Sequence, residues 1–118
     1  MEIVQLFKAL ADENRIRVLA LLKHGELCVC EIEEILKIQQ SNASRHLNKL
    51  KLAGLITSGK KSQWVFYRLN DDMLVKYPFI QMIVEEELGK IDACEFDHDR
   101  LINYKESGIT CEQLTKNQ

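Results

Sequence analysis

The sequence is short of chain breakers, long apolar runs and, over one third of its length, acidic residues. One proline and five glycines in 118 residues exclude a collagen-like or low-complexity chain. No stretch approaches 18 uninterrupted apolar residues, so no membrane-spanning helix is expected. The first residues, MEIVQLFKALADENR, lack the basic-then-apolar pattern of a secretory signal, and a cytoplasmic location is expected. Enzyme signatures are missing too: no Gly-rich phosphate cradle, Ser-His-Asp set or pocket of paired acids can be read from the chain. A thiol-disulfide oxidoreductase would call for C-x-x-C beside a βαβ unit, whereas this chain has C-x-C and no parallel-sheet pattern. No enzyme is expected. Four cysteines in a chain of this type point to metal binding or redox chemistry before structural disulfides.

What is present is a composition of 46% hydrophobic and 29% charged residues, that of one globular domain long enough to bury a core. The net charge of −2 hides an uneven distribution. Residues 35–70 contain no Asp or Glu but carry Lys37, Arg45, Lys49, Lys51, Lys60, Lys61 and Arg68. Residues 1–34 hold seven acids against four bases, and residues 85–112 hold nine against three. An acidic chain with one continuous basic segment is suited to present that segment to a polyanion.

Hydrophobic spacing divides the chain into elements. Ile3, Leu6, Phe7 and Leu10 predict a first amphipathic helix. Asp12 is the expected N-cap of a second, with Ile16, Leu19 and Ala20 inward and Gly25 at its end. A short third helix is predicted over residues 29–36, burying Val29, Ile32, Ile35 and Leu36. Ser41 is expected to cap a fourth helix whose inner face is Ala43, Leu47 and Leu50, with Gly54 ending it. Strands are predicted over residues 55–57 and 63–69 around a turn at 58–62. A helical turn at 71–76 and a main helix over about 78–91 follow, with Pro78 in its first turn. Tyr77, Ile80, Val84, Leu88 and Ile91 form that helix's stripe. The expected class is mainly α with a small β-hairpin. Residues 1–91 form the domain, and 92–118 form an acidic tail to which the pattern assigns no structure.

Two helices joined by a short turn and followed by a hairpin make a winged helix-turn-helix. The second helix of such a pair enters the DNA major groove, with its N-terminal residues at the base edges. Here that end carries Gln40, Ser41, Asn42, Ser44, Arg45 and His46, all able to bond bases or phosphates. Lys60 and Lys61 at the hairpin tip are placed to meet the DNA backbone or minor groove. Double-stranded DNA is the expected partner. Capping alone would also account for Ser41, and simple solvent exposure for His46.

The segments FKALADENRIRVLALL, ELCVCEI, SRHLNKLKLAGLI and VFYRL, in this order, cover about the first 90 residues. Together they resemble the ArsR/SmtB family of metal-sensing repressors. The resemblance implies a homodimer formed through the first and the last long helices. It also implies a repressor that sits on operator DNA and leaves when a metal or metalloid binds. Glu26-Leu27-Cys28-Val29-Cys30-Glu31 resembles the thiolate motif of the arsenic- and cadmium-responsive members.

Thiolates are soft ligands suited to As(III), Sb(III), Cd(II), Pb(II) or Zn(II). Positions two apart on a regular helix diverge by roughly 200°, so Cys28 and Cys30 can share an ion only where the first turn of the third helix is unwound. The chain departs from its relatives at three points: Glu33 stands where a third thiolate sometimes lies, the first 27 residues hold no Cys, and residues 73–91 hold no His. Cys94 or Cys111 then remains to complete a three-sulfur site, within one chain or across a dimer. As(III) and Sb(III) accept a trigonal all-sulfur shell, whereas Cd(II) and Zn(II) usually want a fourth ligand. The expected inducer is As(III) or Sb(III). A Cd(II), Pb(II) or Zn(II) sensor, and a thiol-oxidation or persulfide switch on the same cysteines, are the alternatives. His24 and the Asp97-His98-Asp99 cluster are expected as surface polar groups.

Overall fold

The computed structural model describes residues 1–116. Helix α1 (Glu2–Leu10) turns at Asp12 into α2 (Glu13–Leu22). Asp12 caps α2 as expected: its backbone is extended and its carboxylate accepts from the Arg15 N–H at 3.1 Å. A two-residue strand β1 (Leu27–Cys28) leads into α3 (Val29–Leu36), and three residues later α4 (Gln40–Leu52) begins. The wing is β2 (Ile56–Lys61) and β3 (Trp64–Leu69), followed by α5 (Asp71–Lys76) and α6 (Pro78–Met82). The chain closes with α7 (Asp92–Glu106) and α8 (Cys111–Lys116).

The antiparallel sheet has three strands in the order β1-β3-β2, with Leu27 opposite Tyr67 and Ile56 opposite Leu69. The wing is longer than the sequence suggested. Pairing runs through Gly59 to Lys61 opposite Trp64, and the turn shrinks to Ser62-Gln63 with Ser62 at φ 59°. Ser41 is not the cap of α4. The helix starts two residues earlier, Gln39 occupies the capping position, and Ser41 lies inside the first turn.

The core gathers Leu6, Val18, Leu19, Leu21, Ile32, Ile35, Leu47, Leu50, Leu55, Ile56, Ile80 and Leu101. Each such side chain contributes about 1.5–3 kcal/mol through burial. The expected helix over 78–91 is present but irregular. After α6 the chain widens into a π turn at Ile83–Glu87 and tightens into a 3-10 turn at Leu88–Lys90. Pro78 opens α6 at its first position, and Ile80, Val84 and Leu88 point inward as predicted. Gly89, a weak helix former, falls in the tightened final turn. Ile3, Val4, Phe7 and Met82 stay exposed, Phe7 and Met82 by 52% and 55%, and Phe7 stacks on Phe79 with centroids 5.5 Å apart.

Of the segment 92–118, to which the sequence pattern assigns no structure, α7 and α8 are helical, and residues 117–118 lie outside the described residues. Residues Cys94, Asp97, Leu101 and Tyr104 of α7 are buried, and α7 packs on α2 and α3 while α8 packs on α3. Asp97 is therefore not a surface group. It is fully buried and held by Arg17, whose Nε and Nη2 donate to its two carboxylate oxygens at 2.8 and 2.9 Å. No helix among the described residues is long and apolar enough to cross a membrane.

Candidate functional site

Helix α4 is positioned by the end of α3. Lys37 adopts the left-handed conformation at φ 56°, and the Lys37 and Ile38 N–H groups both donate to the Glu33 carbonyl. This tight stop satisfies the last carbonyls of α3 and lets Ile38 and Gln39 lead straight into α4. Ala43, His46, Leu47 and Leu50 form the inner face of α4. Gln40, Ser41, Asn42, Ser44 and Arg45 are exposed together at its N-terminal end, with Arg45 Nη2 donating to Asn42 Oδ1 at 3.3 Å.

His46 departs from the expectation. It is only 4% exposed, with Nδ1 lying 3.5 Å from Arg15 Nη1 and 3.7 Å from Asp12 Oδ1. A guanidinium only donates, so the Arg15 contact favours a neutral His46 with Nδ1 as acceptor. Burial pushes the His46 pKa below its ordinary value, against the pull of Asp12. Arg15 in turn donates to the carbonyls of Ala9 and Lys8 at 2.7 and 3.1 Å. His46 thus seats α4 on the α1–α2 corner and does not face solvent.

At the wing, Lys60 and Lys61 are exposed as expected. Lys61 pairs with Glu26 and stands 5.3 Å above the Phe66 ring, and Arg68 is exposed with Nε donating to Thr57 Oγ1 at 3.4 Å. The exposed end of α4 and the exposed wing lysines belong to the acid-free segment, so cationic and neutral polar groups are offered to solvent on these two elements.

The cysteines fall into two places. Cys28 ends β1 and immediately precedes α3, with extended backbone at φ −83° and ψ 166°. It therefore escapes the helical divergence that would separate it from Cys30. In this structure Cys28 is disulfide-linked to Cys111 of α8, with Cα atoms 6.8 Å apart. Both are buried, and Cys30 is half-buried in the first turn of α3. Glu31 joins this place: Oε1 accepts from the Cys28 N–H at 3.0 Å and Oε2 from the Tyr104 hydroxyl at 2.7 Å. Burial, then the Glu31 contact, raises the Tyr104 pKa well above that of an ordinary phenol. A groove lined by Cys30, Glu33, Glu34, Lys37, Ile38, Gln39 and Gln40 runs from the thiol site to the start of α4. Burial also raises the Glu33 pKa.

Cys94 lies elsewhere. It is buried and lines a cavity of about 150 Å³ with His24, Glu95 and His98. The His24 and His98 rings sit 4.2 Å apart, and His98 Nδ1 is buried without a partner among the described residues. Of the two candidates for a third sulfur, the structure brings Cys111 to Cys28 and leaves Cys94 apart. The roles of Glu31 and Tyr104 were not foreseen. Glu31 stands three residues after the capping position, the spacing of a reciprocal helix-start motif, and that signal was available in the sequence.

The family model for bacterial regulatory proteins of the arsR family matches residues 12–58, from the Asp12 cap into the wing. The arsenic resistance transcriptional regulator ArsR1 of Pseudomonas putida is 45% identical over 69 residues, covering 58% of this chain and 54% of that protein. The match thus spans about half the length of that relative. A cadmium resistance transcriptional regulatory protein CadC homolog of Staphylococcus aureus is 37% identical over 93 residues, 75% of this chain and 77% of that one. Among solved structures, the homodimeric winged helix-turn-helix DNA-binding domain of a possible ArsR-family regulator from Mycobacterium bovis superimposes with a TM-score of 0.62. It is 27% identical, covering 77% of this chain and 85% of that one. A helix-turn-helix seated on Asp12, Arg15 and His46, a two-stranded wing and the matching stretch of sequence lead to one assignment: the chain belongs to the arsR family of bacterial regulatory proteins.

Proposed function

We propose that the chain is a homodimeric, cytoplasmic transcriptional repressor that leaves its operator when As(III) or Sb(III) binds the thiolates of Cys28, Cys30 and Cys111. The observation that carries this reading is the placement of Cys111 against Cys28 at the start of α3. Cys28 and Cys111 supply two buried sulfurs side by side, and Cys30, half-buried in the first turn of α3, is the third donor of a trigonal trivalent shell in this reading. Names of relatives add support: P. putida ArsR1 is called an arsenic resistance regulator, and the S. aureus protein a cadmium resistance one.

Gln40, Ser41, Asn42, Ser44 and Arg45 read base edges and phosphates in the major groove, and Lys60 and Lys61 engage the backbone. His46 acts indirectly, by holding α4 in place. The exposed strip of Ile3, Val4, Phe7 and Met82 is the dimer face, and it brings two reading helices to half-sites about 34–36 Å apart. An ion gathering Cys28, Cys30 and Cys111 reshapes the first turn of α3. Because α3 packs on α4, the ion-bound state favours a placement of α4 that the operator does not accept.

A second reading draws on the Cys28–Cys111 disulfide itself: oxidation of the same pair, rather than an ion, releases DNA. One experiment separates the two. Release of the reduced protein from operator DNA is titrated with As(III), Sb(III), Cd(II), Zn(II) and an oxidant, in wild type and in single Ser variants of the four cysteines. The metalloid reading expects As(III) release to vanish in Cys28→Ser, Cys30→Ser and Cys111→Ser and to persist in Cys94→Ser. Release by oxidant but not by As(III), insensitive to Cys30→Ser, would establish the redox switch instead.

A further inference from the structure

Glu31 makes three connections at once. Oε1 holds the Cys28 N–H at the start of α3, Oε2 holds the Tyr104 hydroxyl of α7, and a carboxylate oxygen lies within 4.8 Å of both the Cys28 and Cys111 sulfurs. Among the described residues this is the one group of three metal-ligating side chains gathered so closely. Zinc binds sulfur at about 2.3 Å and carboxylate oxygen at about 2.0–2.2 Å. Donors sharing one such ion therefore stand roughly 3.5–4 Å apart by the same bond lengths. The cluster needs only small side-chain movements to reach that geometry once the disulfide is reduced.

The two ion classes should use this cluster differently. As(III) bonds sulfur and gains little from a hard carboxylate, whereas Zn(II) and Cd(II) accept mixed sulfur and oxygen shells. We infer that Glu31 is a specificity-determining ligand: a divalent thiophilic ion takes the Cys28 and Cys111 thiolates together with the Glu31 carboxylate, while As(III) takes Cys30 as its third donor and leaves Glu31 in place. The inference rests on the proposed thiolate site and extends it to a second ligand class. Binding starts from the reduced pair. A dithiol delivers two electrons and two protons to the Cys28–Cys111 bond and leaves as its own disulfide, and the ion then displaces both thiol protons.

The consequence for the protein differs with the ion. A divalent ion that recruits Glu31 draws it off the first turn of α3 and off Tyr104, loosening the joint between α3 and α7. As(III) distorts α3 through Cys30 and keeps that joint closed. Tyr104 is therefore the reporter of which shell has formed.

The test uses the reduced full-length protein, with Cd(II) and As(III) added separately and affinities taken from thiolate charge-transfer absorbance in chelator or dithiol competition. Glu31→Gln keeps an acceptor oxygen for the helix start but is a poor ligand. It is expected to weaken Cd(II) binding by about tenfold or more and to leave As(III) binding within about twofold. In the wild type, Cd(II) and not As(III) should shift the Tyr104 ring resonances, assigned by their loss in Tyr104→Phe. This second measurement stands even if Glu31→Gln folds poorly. Undiminished Cd(II) affinity in Glu31→Gln, an equal loss for both ions, or Tyr104 resonances that ignore Cd(II) would each overturn the inference. A wild-type protein that binds neither ion overturns the thiolate site itself, and is distinguishable because no variant is needed to see it.

Discussion

Removing either partner of the Arg17–Asp97 pair should destabilise the protein, and not equally. The Asp97 side chain is 1% exposed and that of Arg17 20%, so the carboxylate is the group that cannot rehydrate. Stranding one member of a buried pair costs about 3–5 kcal/mol. Asp97→Ala frees a guanidinium that can turn to water and that keeps Asn14 Oδ1 and the Leu36 carbonyl, at 3.1 and 3.3 Å, as acceptors. Its cost should lie at the low end, about 3 kcal/mol. Arg17→Ala leaves the Asp97 carboxylate buried without its cation and removes the bond to Leu36 at the end of α3, so its cost should approach about 5 kcal/mol. At about 3–6 °C per kcal/mol for a chain of this size, the midpoints should fall by about 10 °C or more. An apolar pair, Arg17→Met with Asp97→Leu, should recover most of the loss, because it buries no unpaired charge. Urea and thermal unfolding at one fixed protein concentration measure all four proteins, so that the proposed dimerisation cannot shift one midpoint against another. Single variants within about 1 kcal/mol of wild type, or Asp97→Ala costing more than Arg17→Ala, would refute the reasoning.

The other predictions concern α4, the turn before it, and DNA. Burial holds the His46 pKa below its ordinary value of 6.5, so the unfolded chain takes up that proton first and stability is lost as the pH falls below it. His24 shifts the same way, chiefly through burial and then its neighbour His98. His46→Gln should therefore flatten only part of the slope, and a wild-type stability independent of pH between about 8 and 5 would contradict this. Lys37→Gly should stabilise by about 0.5–1 kcal/mol, because the left-handed backbone at that position costs an L-residue about that much or more. A lower midpoint in calorimetry would count against it. On DNA, Lys60→Ala should weaken binding to all sequences alike and reduce the salt slope by about one. Ser44→Ala or Arg45→Ala should instead narrow the gap between operator and random DNA, and identical behaviour of the variants would remove the division between wing and reading helix.

Elements whose burial follows their own apolar spacing were readable from the chain. Asp12 as a cap, α3 over residues 29–36 and the inward stripe Ile80, Val84 and Leu88 all rest on local pattern, and the structure matches them. What escaped depends on partners far along the chain. Helix α7 hides because its buried positions include Asp97, whose cation is 80 residues away. A charge and a thiol in the stripe read as a polar surface. Strand β1 is two residues long and exists only because β3 pairs with it. His46 was misplaced for a different reason. It falls on the same helical stripe as Ala43, Leu47 and Leu50, and its polar side chain outweighed a spacing that already put it inside. The C-x-C spacing of Cys28 and Cys30 is visible in the chain, but that Cys111 and not Cys94 lies against Cys28 follows from the fold of α7 and α8.

The bond between Cys28 and Cys111, 83 positions apart, turns most of the protein into a ring. Helices α3 to α7 and the whole wing lie on the closed path, while α1 and α2 hang outside it. A cut in the exposed peptide at residues 107–110 would open the ring without releasing a fragment, and the two pieces would separate only after reduction. Closing a loop of this length lowers the entropy of the unfolded chain by an amount worth about 4.5 kcal/mol. The cross-link therefore acts on the disordered state as well as the folded one, and α4 and the wing become the part of the molecule that is hardest to unravel from an end.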